Sequence, residues 1–264
     1  MVRPRPLLLL LLFPTALTWG QELIHPNFSF TTTSLAPVLR ALPEPLRSSA
    51  AANPKAFLED YQPLLSQSAD LLVLVDKKNE IPSDYEPDDL VVLKAPAFSV
   101  NKPGMKFRKA YLPALTALDK AAKKEGLKLT LSSAYRSWAY QKDLFQGYVN
   151  RDGLATAERY SARPGRSQHQ LGTVIDFGSV TPEFGATREG LWLAEHAGDF
   201  GFSLSFPEGY ESLTGYVYEP WHFRYIGVEA CLVQQKWFGN LQQRLVEFHQ
   251  TQASVLKAAW KQLR

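Results

Sequence analysis

The chain of 264 residues has a single cysteine, Cys231, and this scarcity excludes an internal disulfide framework, a cysteine-rich zinc site and a two-thiol redox motif. It has little excess of either charge: 29 Lys+Arg stand against 26 Asp+Glu, and no basic run is longer than a pair. Nucleic-acid binding through phosphate neutralisation therefore finds no support. There is no internal repeat, no low-complexity tract and no sustained heptad, so the sequence carries no signal of oligomeric state. Beyond the first twenty residues no apolar stretch is long enough to span a bilayer. What is present is ordinary globular chemistry, 45% hydrophobic and 12% aromatic, at a length that buries a core without covalent or metal staples. With one thiol, any metal must be held by histidines and carboxylates.

Residues 1–20 have the grammar of a signal peptide. Arg3 and Arg5 precede the apolar Leu7 to Phe13, and Thr18 and Gly20 supply small residues ahead of a cut before Gln21. Pro14 breaks the stretch and it runs out by Leu17, short of the roughly 20 apolar residues a membrane anchor needs. No cysteine stands at the cut to carry a lipid. The expectation is an exported protein, periplasmic or secreted, with no stable membrane insertion after cleavage. Loss of Arg3 and Arg5 would take the net charge from +3 to about +1.

Residues 21–70 are rich in Pro, Ser and Ala and read as a helical or irregular N-terminal extension. The main domain is expected over 71–230, opening on the apolar Leu71 to Asp76 and a loop of turn formers from Ile81 to Asp89. Tyr111, Leu115, Leu118 and Ala122 share one face of a helix predicted over 107–125, with Gly126 as its stop. Strict alternation predicts a strand over 127–132, and Ser137 can cap the helix that follows. Two further strands are predicted, Gly172 to Phe177 and Trp221 to Ile226, with a helix near Arg188 to His196 between them. A C-terminal helical segment, 231–264, carries Leu241, Leu245, Phe248 and Val255. Helices and strands mix without a repeating strand-helix unit, which points to an α+β fold. His25, His196 and His249 read as surface or helix positions, and Cys231 as buried and inert.

Chemistry concentrates in two segments, Ser167-Gln-His169-Gln-Leu-Gly172-Thr-Val-Ile-Asp176 and Glu219-Pro-Trp-His222-Phe-Arg-Tyr. Two imidazoles and a carboxylate suit zinc, and three protein ligands leave a fourth tetrahedral position open, as a catalytic site requires. Taken alone, His222 in an aromatic strand is more often a packed core residue, and Asp176 beside Gly178 a turn former; the pairing of the segments shifts the balance. Glu219 stands close to a ligand without needing to be one. In a regular strand, positions 219 and 222 face opposite sides, so Glu219 needs a kink to reach the same site, and Pro220 can supply it.

Ser-x-His-x-x-Gly-x-x-x-Asp followed by Glu-x-x-His resembles the VanY-type D-alanyl-D-alanine carboxypeptidases of the LAS metallopeptidase superfamily, including the LdcB-like enzymes that trim peptidoglycan stem peptides. Ser133-Ala-Tyr135-Arg136-Ser137 with Gln141 resembles a further motif of the family, and Tyr85-x-Pro87-x-Asp89-Leu90 the start of such domains. The likeness covers roughly 71–227. Gln168 stands where many members have Glu, and Ala134 where Gly is usual. The resemblance implies a LAS-type zinc peptidase domain with a small antiparallel sheet flanked by helices. It implies Zn²⁺ held by His169, Asp176 and His222, with Glu219 taking a proton from the bound water and passing it to the leaving amine. Arg136 would receive the substrate's terminal carboxylate or the developing oxyanion, with Gln141 and Ser167 as further substrate-binding residues.

The implied activity is zinc-dependent release of the C-terminal D-alanine from peptidoglycan stem peptides, with an L,D bond slightly preferred over a D,D bond. Two other readings share the motifs. A cross-link endopeptidase uses the same chemistry but must leave room beyond the released residue, against which Arg136 argues. A non-catalytic zinc-containing binding module has no need of Glu219 beside an open metal position.

Overall fold

The computed structural model describes residues 22–261, so the signal-peptide expectation over 1–20 lies outside the described residues. The N-terminal extension forms three short helices, α1 (Thr32–Leu39), α2 (Leu46–Ala52) and α3 (Pro54–Tyr61). Thr31 starts the first by a reciprocal cap, its hydroxyl accepting from the Ser34 amide while Ser34 Oγ accepts from the Thr31 amide. Next come β1 (Leu90–Val92), β2 (Ser99–Val100) and β3 (Lys106–Arg108), of which β1 and β3 pair antiparallel as a separate ribbon.

The helix expected over 107–125 is shorter: α4 spans Leu112–Lys124. Residues 106–108 are taken by β3, and Pro113 suits the first helical turn, where its missing N–H costs nothing. Gly126 takes a positive φ just past the end, as a stop requires. The chain continues through β4 (Thr130–Ser133), α5 (Trp138–Asp152), α6 (Leu154–Tyr160), β5 (Val174–Phe177), α7 (Arg188–His196), β6 (Phe202–Leu204), α8 (Glu211–Thr214), β7 (His222–Tyr225), α9 (Val228–Trp237) and α10 (Gln242–Ala259). Ser137 caps α5 through the Tyr140 amide, as its position in the sequence suggested.

The main sheet has the order β2-β4-β5-β7-β6. Three of its pairings are antiparallel, and the edge pair β2-β4 is parallel, its crossover carrying the β3 ribbon strand and α4. Leu131, Ile175, Phe177, Phe202 and Phe223 turn one face of this sheet onto Leu115, Leu118 and Ala122 of α4 and Trp192 and Leu193 of α7. Side chains alternate along strands, so Asp176 and His222, which are cross-strand partners, face the other side.

A second core joins the two ends of the chain. Phe57 and Tyr61 of α3 pack edge-on against Phe248 of α10 at ring separations of 5.8 and 5.5 Å, and Phe57 meets Trp237 of α9 at 5.5 Å. Tyr61 Oη and His249 Nδ1 are 2.9 Å apart. His25 is buried in this region and lies in no helix, contrary to the surface or helix position expected from sequence. Cys231 on α9 is buried, and desolvation pushes its thiol up to about 12, which keeps it unreactive.

The apolar Leu71 to Asp76 run forms no strand. Arg224, fully buried on β7, donates from Nη2 to the Leu71 and Val73 carbonyls at 2.8 and 2.9 Å and holds this segment across the sheet. Burial pushes its guanidinium down to about 10. No helix among the described residues is long and apolar enough to cross a membrane.

Candidate active site

Three local devices assemble the site. A 3₁₀ turn over Gln168–Leu171, capped by Ser167 Oγ, presents His169, and Gly172 then reverses the chain into β5 at φ 71°. A Cβ at Gly172 would lie 3.0 Å from side-chain carbons of Arg108 and Leu90, so both the conformation and the space call for glycine. Four residues on, β5 delivers Asp176 opposite His222 of β7. The third device is the turn Glu219-Pro220-Trp221-His222, closed by the His222 amide donating to the Glu219 carbonyl at 3.1 Å. Proline suits the second position of such a turn, and the reversal brings Glu219 Oε2 to 3.6 Å from His222 Nδ1.

His169, Asp176 and His222 are all buried and each offers a ligand atom within 4.8 Å of the others'. His169 Nε2 stands 3.2 Å from Asp176 Oδ2, and His222 Nδ1 stands 3.2 Å from Asp176 Oδ1. Neither approach has hydrogen-bond alignment: His169 Nε2 and Asp176 Oδ1 are buried without a hydrogen-bond partner. Orphaned buried donors and acceptors are rare and ask for a partner. Together with His222 Nδ1, these two orphaned atoms make a set of two nitrogens and a carboxylate that fits a tetrahedral zinc ion with one open position. The other ring nitrogen of His169, Nδ1, is 2.6 Å from the Ala134 carbonyl, which fixes the tautomer with Nε2 free.

Electrostatics divide the two carboxylates into different roles. Burial opposes ionisation of Asp176, but the facing imidazoles of His169 and His222 outweigh it and hold the carboxyl well below its usual range. Glu219 is raised well above the carboxylate range, by burial first and by Asp176 second, with Arg136 and Lys77 pulling the other way. An ionised ligand beside a carboxyl that readily keeps a proton is a division suited to hydrolysis. Burial, with Arg136 adding to it, pushes His169 down to about 4, and burial also lowers His222.

These shifts give the metal-free protein a pH signature. A histidine lowered by folding contributes stability that is complete above its ordinary value near 6.5 and is lost as pH falls through its folded value. Glu219 has the opposite sign, contributing below about 4.5 and losing that contribution as pH rises through its folded value. The chelated protein should therefore lose stability between pH 6.5 and about 4 through His169. Urea midpoints over that window should fall less steeply in His169→Gln; equal slopes would contradict the assignment.

Arg136 lies beside the cluster, with Nη2 3.5 Å from Asp176 Oδ2 and Nη1 donating to Gln141 Oε1 at 2.9 Å, while its buried Nε has no partner. Gln141 is buried, and its amide NH₂ donates to the Ala162 carbonyl at 2.8 Å, so both ends of that side chain are engaged by protein. Ser167 is also buried and lines the cleft. The cleft has walls that no motif marked: Val75, Tyr160, Phe206 and Tyr216. Phe206 packs between His222 and Tyr216, at ring distances of 4.7 Å to each. Aromatic spacing between β6 and β7 is the signal that could have pointed to Phe206 and Tyr216.

The family model described as VanY, D-alanyl-D-alanine carboxypeptidase, matches residues 104–228, which contain every one of these site residues except Val75. The putative carboxypeptidase YodJ of Bacillus subtilis (strain 168) is 39% identical over 173 residues, 62% of this chain and 63% of that protein. Among solved structures, the LdcB LD-carboxypeptidase aligns at 34% identity and a TM-score of 0.60, covering 68% of this chain and 86% of that one. The chain belongs to the VanY family of carboxypeptidases. A VanY D,D-pentapeptidase mutant solved with Zn(II) aligns at 28% identity and a TM-score of 0.55, covering 67% of this chain and 99% of that one. The α+β architecture with a small sheet flanked by helices is shared with these structures. The chain spans 63% and 60% of the length of the first two curated relatives it matches.

Proposed function

We propose that the protein is a zinc-dependent carboxypeptidase that removes the C-terminal D-alanine from peptidoglycan stem peptides, preferring the L,D bond of a tetrapeptide over the D,D bond of a pentapeptide. The observation that carries this reading is the convergence of His169, Asp176 and His222 on one point, with the buried Glu219 on one side and Arg136 on the other. Likeness to the LdcB LD-carboxypeptidase supports the L,D preference. A substrate outside the cytoplasmic membrane agrees with the export signal expected over 1–20.

Zinc, when bound, supplies Lewis acidity to the scissile carbonyl and lowers the pKa of water toward about 7. The chain's own residues do the rest. Arg136 receives the terminal carboxylate on its unpartnered Nε edge, while Gln141 holds the other edge and so contributes to substrate binding through Arg136. Glu219 takes the proton of the attacking water on a carboxylate oxygen and returns it to the departing amine of D-alanine, a transfer its raised pKa favours. Ser167, two residues before His169 on the cleft wall, is a further hydrogen-bonding group for the substrate.

Purified protein incubated with defined tripeptide, tetrapeptide and pentapeptide muropeptides should release D-alanine fastest from the tetrapeptide, more slowly from the pentapeptide, and not from the tripeptide. A faster pentapeptide reaction would reverse the bond preference. No release from any of them would overturn the enzyme reading.

A further inference from the structure

His222 differs from His169 in how its outer nitrogen is held. His169 leans on a main-chain carbonyl, whereas His222 Nε2 faces the side chain of Gln168, whose Oε1 is 3.3 Å away. A glutamine amide presents oxygen or NH₂ depending on which way it is turned, so something further must fix its orientation. That something lies outside the span matched by the family model, which ends at residue 228.

Gln242, the first residue of α10, is buried and its Nε2 lies 3.2 Å from the main-chain carbonyl of Ser203 on β6. A carbonyl only accepts, so the Gln242 NH₂ must face it and Oε1 must turn toward Gln168. That oxygen also only accepts. Gln168 therefore offers its NH₂ to Gln242 at 3.4 Å, and its own Oε1 is left to accept from the Ser205 hydroxyl at 2.8 Å and to face His222. Asp176 Oδ1 lies 3.2 Å from Nδ1 but without hydrogen-bond alignment, whereas Gln168 Oε1 is aligned on Nε2 at 3.3 Å; the proton therefore sits on Nε2, and in a neutral imidazole the lone pair is left on Nδ1.

We propose that Gln242 is a positioning residue, which acts through Gln168 to hold His222 in its Nε2–H tautomer and keep Nδ1 available as a metal donor. This rests on the zinc reading of the His169, Asp176 and His222 cluster. It also gives the C-terminal helix a part in the site: α10 carries the anchor of an amide chain that ends on a ligand. A carboxylate at position 168 would accept from His222 in either orientation and would have no need of Gln242.

The tautomer can be read directly in the zinc-free protein from long-range ¹H–¹⁵N spectra of the histidine rings, with His222 assigned by comparison with His222→Gln. The wild type should show His222 protonated at Nε2; protonation at Nδ1 overturns the proposal before any further variant is made. Gln242→Leu should shift His222 toward a mixture of tautomers and weaken zinc affinity by about 10- to 100-fold, the range seen when outer partners of metal ligands are lost. Adding Gln168→Glu to Gln242→Leu should restore affinity to within a few-fold of the wild type, a rescue that mere loss of packing would not give. Unchanged tautomer and affinity in folded Gln242→Leu, or no rescue by Gln168→Glu, would overturn it. Failure of the zinc reading is separately visible, because the wild type would then bind no zinc whichever nitrogen carried the proton.

Discussion

Replacing Glu219 with Gln should lower kcat for D-alanine release by about 10²- to 10⁴-fold, the usual contribution of a positioned general acid or base. The substitution keeps the shape of the side chain and its place at the head of the Pro220 turn, and removes only the ability to accept a proton. Zinc affinity should be retained, because Glu219 Oε2 approaches His222 at 3.6 Å and lies outside the ligand cluster. Thermal stability should be unchanged or higher: burial already disfavours the charged form of Glu219, so a neutral amide gives up nothing that the fold favours. Loss of activity with retained metal and retained stability is the combined signature. A kcat within a few-fold of the wild type would remove Glu219 from the chemistry.

Arg136→Ala should have a comparable effect, but one confined to substrates with a free C-terminal carboxylate. Hydrogen bonds to charged groups are worth about 1.5–3 kcal/mol each, so losing a two-pronged contact costs on the order of 3–6 kcal/mol, or about 10²- to 10⁴-fold in kcat/KM. A peptide amidated at its C-terminus is the control, since it should be a poor substrate for the wild type and no worse for the variant. Arg136→Lys should recover little, because an ammonium cannot reproduce the planar fork. Arg136 also faces Asp176 at 3.5 Å and lowers His169, so the variant's zinc affinity has to be measured alongside. An equal loss on free and amidated peptides would mean that Arg136 serves the metal site rather than the carboxylate.

Much of the candidate site was legible because several of its residues sit in short local devices, each with its own sequence mark. Ser167, His169 and Gly172 belong to one 3₁₀ turn and its reversal, and Glu219, Pro220 and His222 to one proline turn. Spacing within a turn survives into three dimensions, so the order of residues already implied their meeting. The strands around Asp176 and His222 were readable by alternation, and α5 by its Ser137 cap. The walls of the cleft were not readable in this way. Val75, Phe206 and Tyr216 come from irregular segments whose course is fixed by distant contacts, such as Arg224 gripping the Leu71 and Val73 carbonyls. The shared core of Phe57, Tyr61, Trp237 and Phe248 was equally hidden, since its halves are about 180 residues apart in the chain and each half alone reads only as an amphipathic fragment. The helix expected from residue 107 shows a further limit: a helical period extended backward over Phe107, but pairing with β1 claimed that stretch for a strand.

The most direct measurement is a zinc titration of the chelated protein, with D-alanine release from the tetrapeptide read after each addition. Release should be absent without metal, rise in proportion to zinc and level off near one ion per chain, the capacity of the His169, Asp176 and His222 cluster. In His169→Gln the rise should need at least about tenfold more zinc. Release by the metal-free protein at the rate of the zinc-loaded one would contradict a zinc mechanism at this site.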